Sequence, residues 1–264
     1  MRPTSNPFPD AVAPAPAGRF TVVVPALNEE RGLGPTVEAI LRAFGAAAFD
    51  VEVLVFDDAS TDRTGAIADE WAARDRRVRA FHNGHRLNIG GIYRAGIRLA
   101  TGEHLLLVPG DNEMRVDELV RGARRAHEAP VVVFHVTNAW AARPPLRALI
   151  SRLYVLAVNV LFNTRFRYTN GTNIFRTDVL RGVPILTDGF SYQTEALVKA
   201  VRAGADYIEV GIRIQPRRGG RSKALSWRNL RLVAGALGRL WLDVMVRERG
   251  RYGCPGRRIA TYRG

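Results

Sequence analysis

The chain has 264 residues, 47% hydrophobic and 24% charged, which suits one large α/β domain with a sizeable core and excludes global disorder and a multi-spanning membrane protein. Its formal net charge of +14, from 39 basic against 25 acidic residues, favours anionic partners such as phosphates, nucleic acid or an acidic membrane surface. The one cysteine, Cys254, excludes an intrachain disulfide and gives no sign of an oxidising compartment.

Residues 1–18 carry prolines where a secretory signal needs an unbroken apolar segment, so they read as a flexible leader, and a cytoplasmic location is expected. Residues 20–26 form a β-branched apolar run containing Pro25, followed by polar Asn28, Glu29 and Glu30 and a helical pattern reaching Phe44. The unit repeats as a strand over 51–56, the loop DDASTDRT, and a helix over 64–74 that Ser60 or Thr61 can cap. A short strand at 78–81 leads to a helix around 91–100. A fourth apolar run, 104–108, ends abruptly at Pro109-Gly110-Asp111-Asn112-Glu113. A helix over 116–127 and a strand over 130–136 follow. This alternation predicts a mainly parallel sheet covered on both faces, with ligands at the carboxyl ends of the strands.

After Trp140 the texture changes. Residues 146–162 are apolar on most sides but edged by Arg147, Arg152, Arg165 and Arg167, as a packed core helix or an interfacial one would be. Residues 170–179 read as a turn into a short strand and a helix start, 195–203 as a helix and 207–214 as a strand. Residues 225–246 form a final amphipathic helix carrying Arg228, Arg231, Arg239 and Arg247. The domain is placed at 19–224, with 140–168 as its acceptor- or membrane-facing part. The amphipathic helix takes 225–248, and 249–264 reads as a basic flexible tail. No uncharged apolar run reaches the roughly 18 residues a membrane span needs, so any membrane contact is expected to be peripheral.

Three polar clusters carry the chemistry. Asp57 and Asp58, with Asp62, follow a buried strand, where carboxylates can bond a nucleobase or ribose; they can equally cap a helix. Asp111 and Glu113 can hold Mg²⁺ or Mn²⁺ bridging two phosphates, or form an ordinary acidic turn. In Arg217-Arg218-Gly219-Gly220-Arg221-Ser222-Lys223, glycines permit close backbone approach to phosphate oxygens, and Arg, Ser and Lys supply charge-assisted donors. A solvated basic turn is the plainer reading of that stretch.

In order and spacing these clusters resemble the family 2 glycosyltransferases of GT-A fold, and within them the dolichol-phosphate mannosyltransferase-like branch that acts on polyprenyl phosphates. VVVPALNEE at 22–30 looks like that family's opening nucleotide-binding strand and loop, and DDASTDRT at 57–64 matches its DDxSxDxT motif. Asn88-Ile89-Gly90 with Arg94-Ala95-Gly96 is similar to its NxGxxxAxxxG helix start, and RRGGRSK at 217–223 fits the RxxGxSK loop. The resemblance implies a Rossmann-like sheet flanked by helices, a nucleotide-sugar donor, and single inverting transfer of a hexose from a GDP-mannose or UDP-glucose type of donor to a lipid phosphate. By position it puts Pro25, Leu27, Glu29 and Asp57 around the nucleotide, with Asp58, Asn88 and Gly90 beside it. Asp111 and Glu113 fall on the metal, and Arg217, Gly220, Ser222 and Lys223 on a phosphate. Where the family usually has a further Asp, this chain has Pro109, which thins the metal shell.

On the acceptor side, Arg143, Arg147 and Arg152 flank an apolar helix. A hydroxyl acceptor needs a general base, for which Glu195 and Asp188 are candidates. A phosphate monoester needs none, and Glu195 would then orient Arg217 or pair another cation. Asp111, Glu195 and Arg217 are thus the candidate catalytic residues. A soluble or glycan hydroxyl acceptor and a catalytically silent membrane-associated scaffold remain open, as do a homo-oligomer and a membrane partner protein. Nucleic acid is not an expected partner, because no helix-turn-helix, zinc or RNP pattern accompanies the charge.

Overall fold

The structure, a computed structural model, describes residues 18–138, 145–189, 191–213 and 227–263. Strands β1 (Phe20–Ala26), β2 (Val51–Asp57) and β3 (Val78–His82) alternate with helices α1 (Leu33–Ala46), α2 (Thr64–Arg74) and α3 (Asn88–Leu99). Then come β4 (His104–Leu107), α4 (Val116–Ala123), a short 3-10 turn at Ala126–Glu128, and β5 (Val131–Val136). The second half holds α5 (Pro145–Phe162), β6 (Asn173–Arg176), α6 (Thr177–Arg181), α7 (Tyr192–Arg202), β7 (Tyr207–Ile212) and α8 (Trp227–Trp241). A wider π-type turn at Leu242–Arg247 and strand β8 (Arg258–Tyr262) complete it.

The strands form one sheet in the order β3-β2-β1-β4-β6-β5-β7-β8. All neighbours are parallel except β6, which runs antiparallel to β4 and to β5. Strands buried on both faces need apolar side chains in both directions, hence the near-continuous runs in β1, β2 and β4. Val22 and Val24 of β1 enter the core with α1, α2 and α4, whereas Val23 enters the other with α3, α7 and the end of α5. The register from Phe20↔Val51 to Ala26↔Asp57, and from Phe20↔His104 to Val23↔Leu107, aligns the carboxyl ends of β1, β2 and β4 at one edge. Because β6 is reversed, its amino end and residues 170–172 reach that same edge.

The expected sheet and helices thus correspond closely to the observed ones, with a correction at the chain's far end. Within 249–264, expected to be a flexible tail, Arg258–Tyr262 is a strand parallel to β7, and Tyr252 is fully buried. The β-branched and aromatic character of RIATY is the local signal for it. Its tertiary reason is Glu209 of β7, wholly buried, which accepts from Arg258 at 2.9 Å and lies 3.5 Å from Arg167. Helix 225–246 also gives way at its end to the π-type turn. Leu237, Leu240 and Val244 are buried there, while Trp241 is 40% exposed.

Candidate active site

At the carboxyl edge the loops after β1 and β2 are laced together. The Asn28 side-chain oxygen accepts from the Thr61 backbone N–H at 2.8 Å, and the Asn28 N–H donates to the Ser60 hydroxyl at 3.0 Å. The Glu29 N–H donates to the Thr64 hydroxyl at 2.8 Å, and the Glu30 N–H to Asp62 at 3.2 Å. Asp62 also accepts from the Thr64 hydroxyl and N–H, contacts that hold its carboxyl below the usual range. Asn28 and Ala59 take left-handed backbone conformations, as do Asn88 and Asn112 in the neighbouring loops. Asn tolerates this region better than most residues, which explains its place at three of these turns. Pro25 and Leu27 lie half-buried at the end of β1.

The loop after β4 docks against the start of α1. The Gly110 N–H donates to the Pro25 carbonyl, and the Asn112 N–H to the Thr36 hydroxyl, both at 3.0 Å. A Cβ on Gly32 would lie 2.6 Å from the Gly110 carbonyl oxygen, so only glycine allows this approach. Asp111 and Glu113 thereby come near Glu29. Burial and then the charges of Asp111, Glu113 and Asp62 push the Glu29 carboxyl above its usual range. The sequence-predicted nucleotide acid and metal acids therefore share one negative field, which a cation would relieve.

No group of three or more His, Cys, Asp and Glu is placed to hold a metal ion among the described residues. Asp111 and Glu113 still fit a divalent ion whose shell is completed by phosphate and water, the mode Mg²⁺ commonly adopts. The wall beside them is apolar. A cavity of about 250 Å³ is lined by Pro109, Met114, Phe134, Tyr168, Asn170 and Gln193, among others. A larger cleft of about 490 Å³, lined by Arg121, Arg124, Arg125 and Tyr262 among others, shares no residue with this edge.

Asp57 and Asp58 part company. Asp57 accepts from the Ser60 N–H at 3.0 Å and meets the His82 ring at 3.3 Å. Asp58 accepts from the Asn83 side chain at 2.9 Å and from the Leu87 and Asn88 N–H groups at 2.8 and 3.1 Å. Asp58 therefore shapes the loop into α3, and Asn88 is one of its anchors. Gly90 is buried and donates its N–H to the Asp188 carbonyl. A Cβ there would sit 2.0 Å from the Thr187 carbonyl oxygen, so Gly90 serves the docking of residues 187–188. The Asp188 side chain accepts from Arg94 at 2.5 Å.

Glu195, a candidate base or partner of a cation, is likewise turned inward. It is 4% exposed, accepts from the Leu186 and Thr187 N–H groups at 3.0 and 2.8 Å, and pairs with Lys199 at 2.7 Å. Lys199 also donates to the Pro184 carbonyl. The cation that Glu195 orients in the described structure is Lys199, one helical turn away. Arg152 lies exposed on α5, and α5 is tied to α7 by a 3.0 Å hydrogen bond from Tyr154 to Thr194. Arg143 and the loop with Arg217, Gly220, Ser222 and Lys223 lie outside the described residues, as do residues 1–17 of the expected leader.

Thr36, Thr64, Ser60 and His82, which organise this edge, are residues that sequence reasoning missed as site groups. Ser60 and Thr64 stand inside the DDASTDRT motif, the only local signal.

Solved structures with this fold include mannosyl-3-phosphoglycerate synthase from Rubrobacter xylanophilus, at a TM-score of 0.68 and 16% identity over 89% of this chain and 76% of that one. Glucosyl-3-phosphoglycerate synthase from Mycobacterium tuberculosis, solved with Mn²⁺, UDP-glucose and glycerol 3-phosphate, matches at 0.58 and 16% over 90% and 81%. The fold is thus that of the GT-A glycosyltransferases. The family model described as glycosyl transferase family 2 matches residues 21–182. The chain belongs to glycosyl transferase family 2 and is a glycosyltransferase.

Among its relatives, glycosyltransferase AglD of Haloferax volcanii is 30% identical over 250 residues, 90% of this chain and 39% of its own length. Undecaprenyl-phosphate mannosyltransferase of Micrococcus luteus is 29% identical over 224 residues, 78% of this chain and 87% of its own length. The chain therefore spans well under half of the first relative and most of the second. The polyprenyl-phosphate branch that its motifs resemble is represented among them.

Proposed function

We propose that this glycosyltransferase moves a hexose from a nucleotide-sugar, of the GDP-mannose or UDP-glucose type, to a polyprenyl phosphate or similar membrane-held acceptor. The observation that carries this reading is the convergence of Glu29, Asp57, Asp111 and Glu113 from the ends of β1, β2 and β4 on one edge. Pro25, Leu27, Glu29 and Asp57 take the nucleotide. Asp111 and Glu113 would hold Mg²⁺ or Mn²⁺, which when bound offsets charge developing on the departing nucleoside diphosphate. By sequence, Arg217, Gly220, Ser222 and Lys223 are the candidates to add donors to that diphosphate.

The transfer is a single displacement: an acceptor oxygen bonds to the anomeric carbon as the bond to the diphosphate oxygen breaks, with inversion. A phosphate monoester, with a second pKa of about 6, is already largely anionic at neutral pH and needs no base. That suits the engagement of Glu195 with Lys199 and of Asp188 with Arg94. The cavity beside Pro109 is where the sugar or the first carbons of the acceptor would lie.

No helix among the described residues is long and apolar enough to cross a membrane. Exposed Leu149, Leu153, Leu156 and Val160 on α5, beside Arg152, supply a surface for peripheral contact, expected on the cytoplasmic face. A second copy of the chain or a membrane protein could instead cover that face.

The test is a thermal-shift screen of nucleotide-sugars with Mn²⁺. The true donor should stabilise the protein by about 2.7 kcal/mol at a hundredfold excess over its dissociation constant. Asp111→Asn should weaken that response; an equal shift in the variant would remove Asp111 from the metal site.

A further inference from the structure

His82 closes β3 immediately beside Asp57, and its ring faces two carboxylates. Nδ1 lies 3.3 Å from Asp57 Oδ2, and Nε2 lies 2.9 Å from Asp69 Oδ1 of α2. Space for this bridge is left by Gly65, the second residue of α2. A Cβ there would sit 2.8 Å from Asp57 Oδ2 and 3.4 Å from the His82 ring. Asp57 is buried and Asp69 is exposed, so the ring connects the nucleotide edge to solvent.

We propose that His82 is a positioning residue for the donor nucleotide: in its doubly protonated form it pins Asp57, and loss of one ring proton releases Asp57 and weakens nucleotide binding. The inference rests on the reading of Asp57 as a nucleotide ligand. An ionised carboxylate only accepts hydrogen bonds, so a ring between two carboxylates satisfies both only as imidazolium, which has two N–H donors. Neutral imidazole has one. The contact to Asp69 is the shorter, so the remaining proton stays on Nε2, and the bond to Asp57 is the one lost. Asp57 then keeps only the Ser60 N–H among these contacts.

The electrostatics agree with this geometry. Asp69 first, and then Asp57, raise the His82 pKa above its usual value against the opposing effect of burial, and these are the charged groups that face the ring. A raised pKa keeps the bridge formed through the ordinary range of histidine titration and breaks it as pH rises through the shifted value. Nucleotide affinity should therefore fall as pH rises through that value.

Calorimetric titration of GDP and of UDP with Mn²⁺ between pH 5.5 and 8.5 tests this, with the melting temperature of the unliganded protein as a control for folding. Wild type should lose about fivefold in affinity across the step, the worth of one ordinary hydrogen bond. His82→Ala should bind with the weaker affinity at every pH and show no step. His82→Gln, which offers a neutral amide donor, should recover part of the affinity without pH dependence. Asp69→Asn should move the step to lower pH while keeping full affinity below it. If a nucleotide binds and the wild-type and His82→Ala profiles superimpose, the inference is overturned while the nucleotide reading stands. If neither nucleotide binds wild type at any pH, both fall.

Discussion

Asp57 ends β2 and Asp58 follows it, and the different partners their side chains meet give them different tasks. Asp58 collects three donors and organises the loop into α3. Asp58→Ala leaves two backbone N–H groups and an amide without that acceptor, and should cost about 3 kcal/mol in urea denaturation. Asp57→Asn should change stability by less than about 1 kcal/mol while weakening nucleotide binding, because fewer protein donors converge on it. Equal destabilisation by both would contradict the division. Glu195 illustrates the same point: its sequence left a base and a partner of a cation both open, and its partners are Lys199 and two backbone N–H groups.

At the scale of an element, α5 is the least settled by its own sequence. A long apolar segment edged by arginines reads equally as core or interface, and the structure buries one side of it while leaving the other exposed. Val158 and Phe162 are buried, whereas Leu153, Leu156 and Val160 are 55%, 58% and 73% exposed. Leu153→Glu combined with Leu156→Glu should reduce sedimentation with anionic phospholipid vesicles by at least about tenfold, given roughly 1.5 kcal/mol or more per leucine buried. The melting temperature should hold, since neither side chain packs in the core. Unchanged sedimentation would assign the face to something other than lipid.

For the whole molecule, β8 brings a distant part of the chain back onto β7. Glu209 is fully buried there between Arg258 and Arg167 and also accepts the Arg167 N–H. Arg258→Ala removes the nearer cation, and about 2 kcal/mol should be lost, less than for a fully buried pair because Arg167 and solvent partly compensate. Urea unfolding of wild type and variant measures it. A difference below about 0.5 kcal/mol would show that strand pairing alone holds β8.

What the sequence by itself determined is local or periodic: the alternation of strands and helices, the parallel sheet, and the carboxylates at strand ends. Runs of Val and Leu can be read one segment at a time, because burial on both faces demands them wherever the strands lie in space. The tertiary structure alone decided which polar groups are spent on the protein itself. Asp58, Gly90, Asp188 and Glu195 all stand in suggestive motifs, but their hydrogen bonds reach residues supplied by other loops and elements. It also decided that RIATY pairs with β7 and that His82 stands between two acids. A hydrogen bond has one direction and a range of about 3 Å, so its partner is fixed only once distant segments have been brought together.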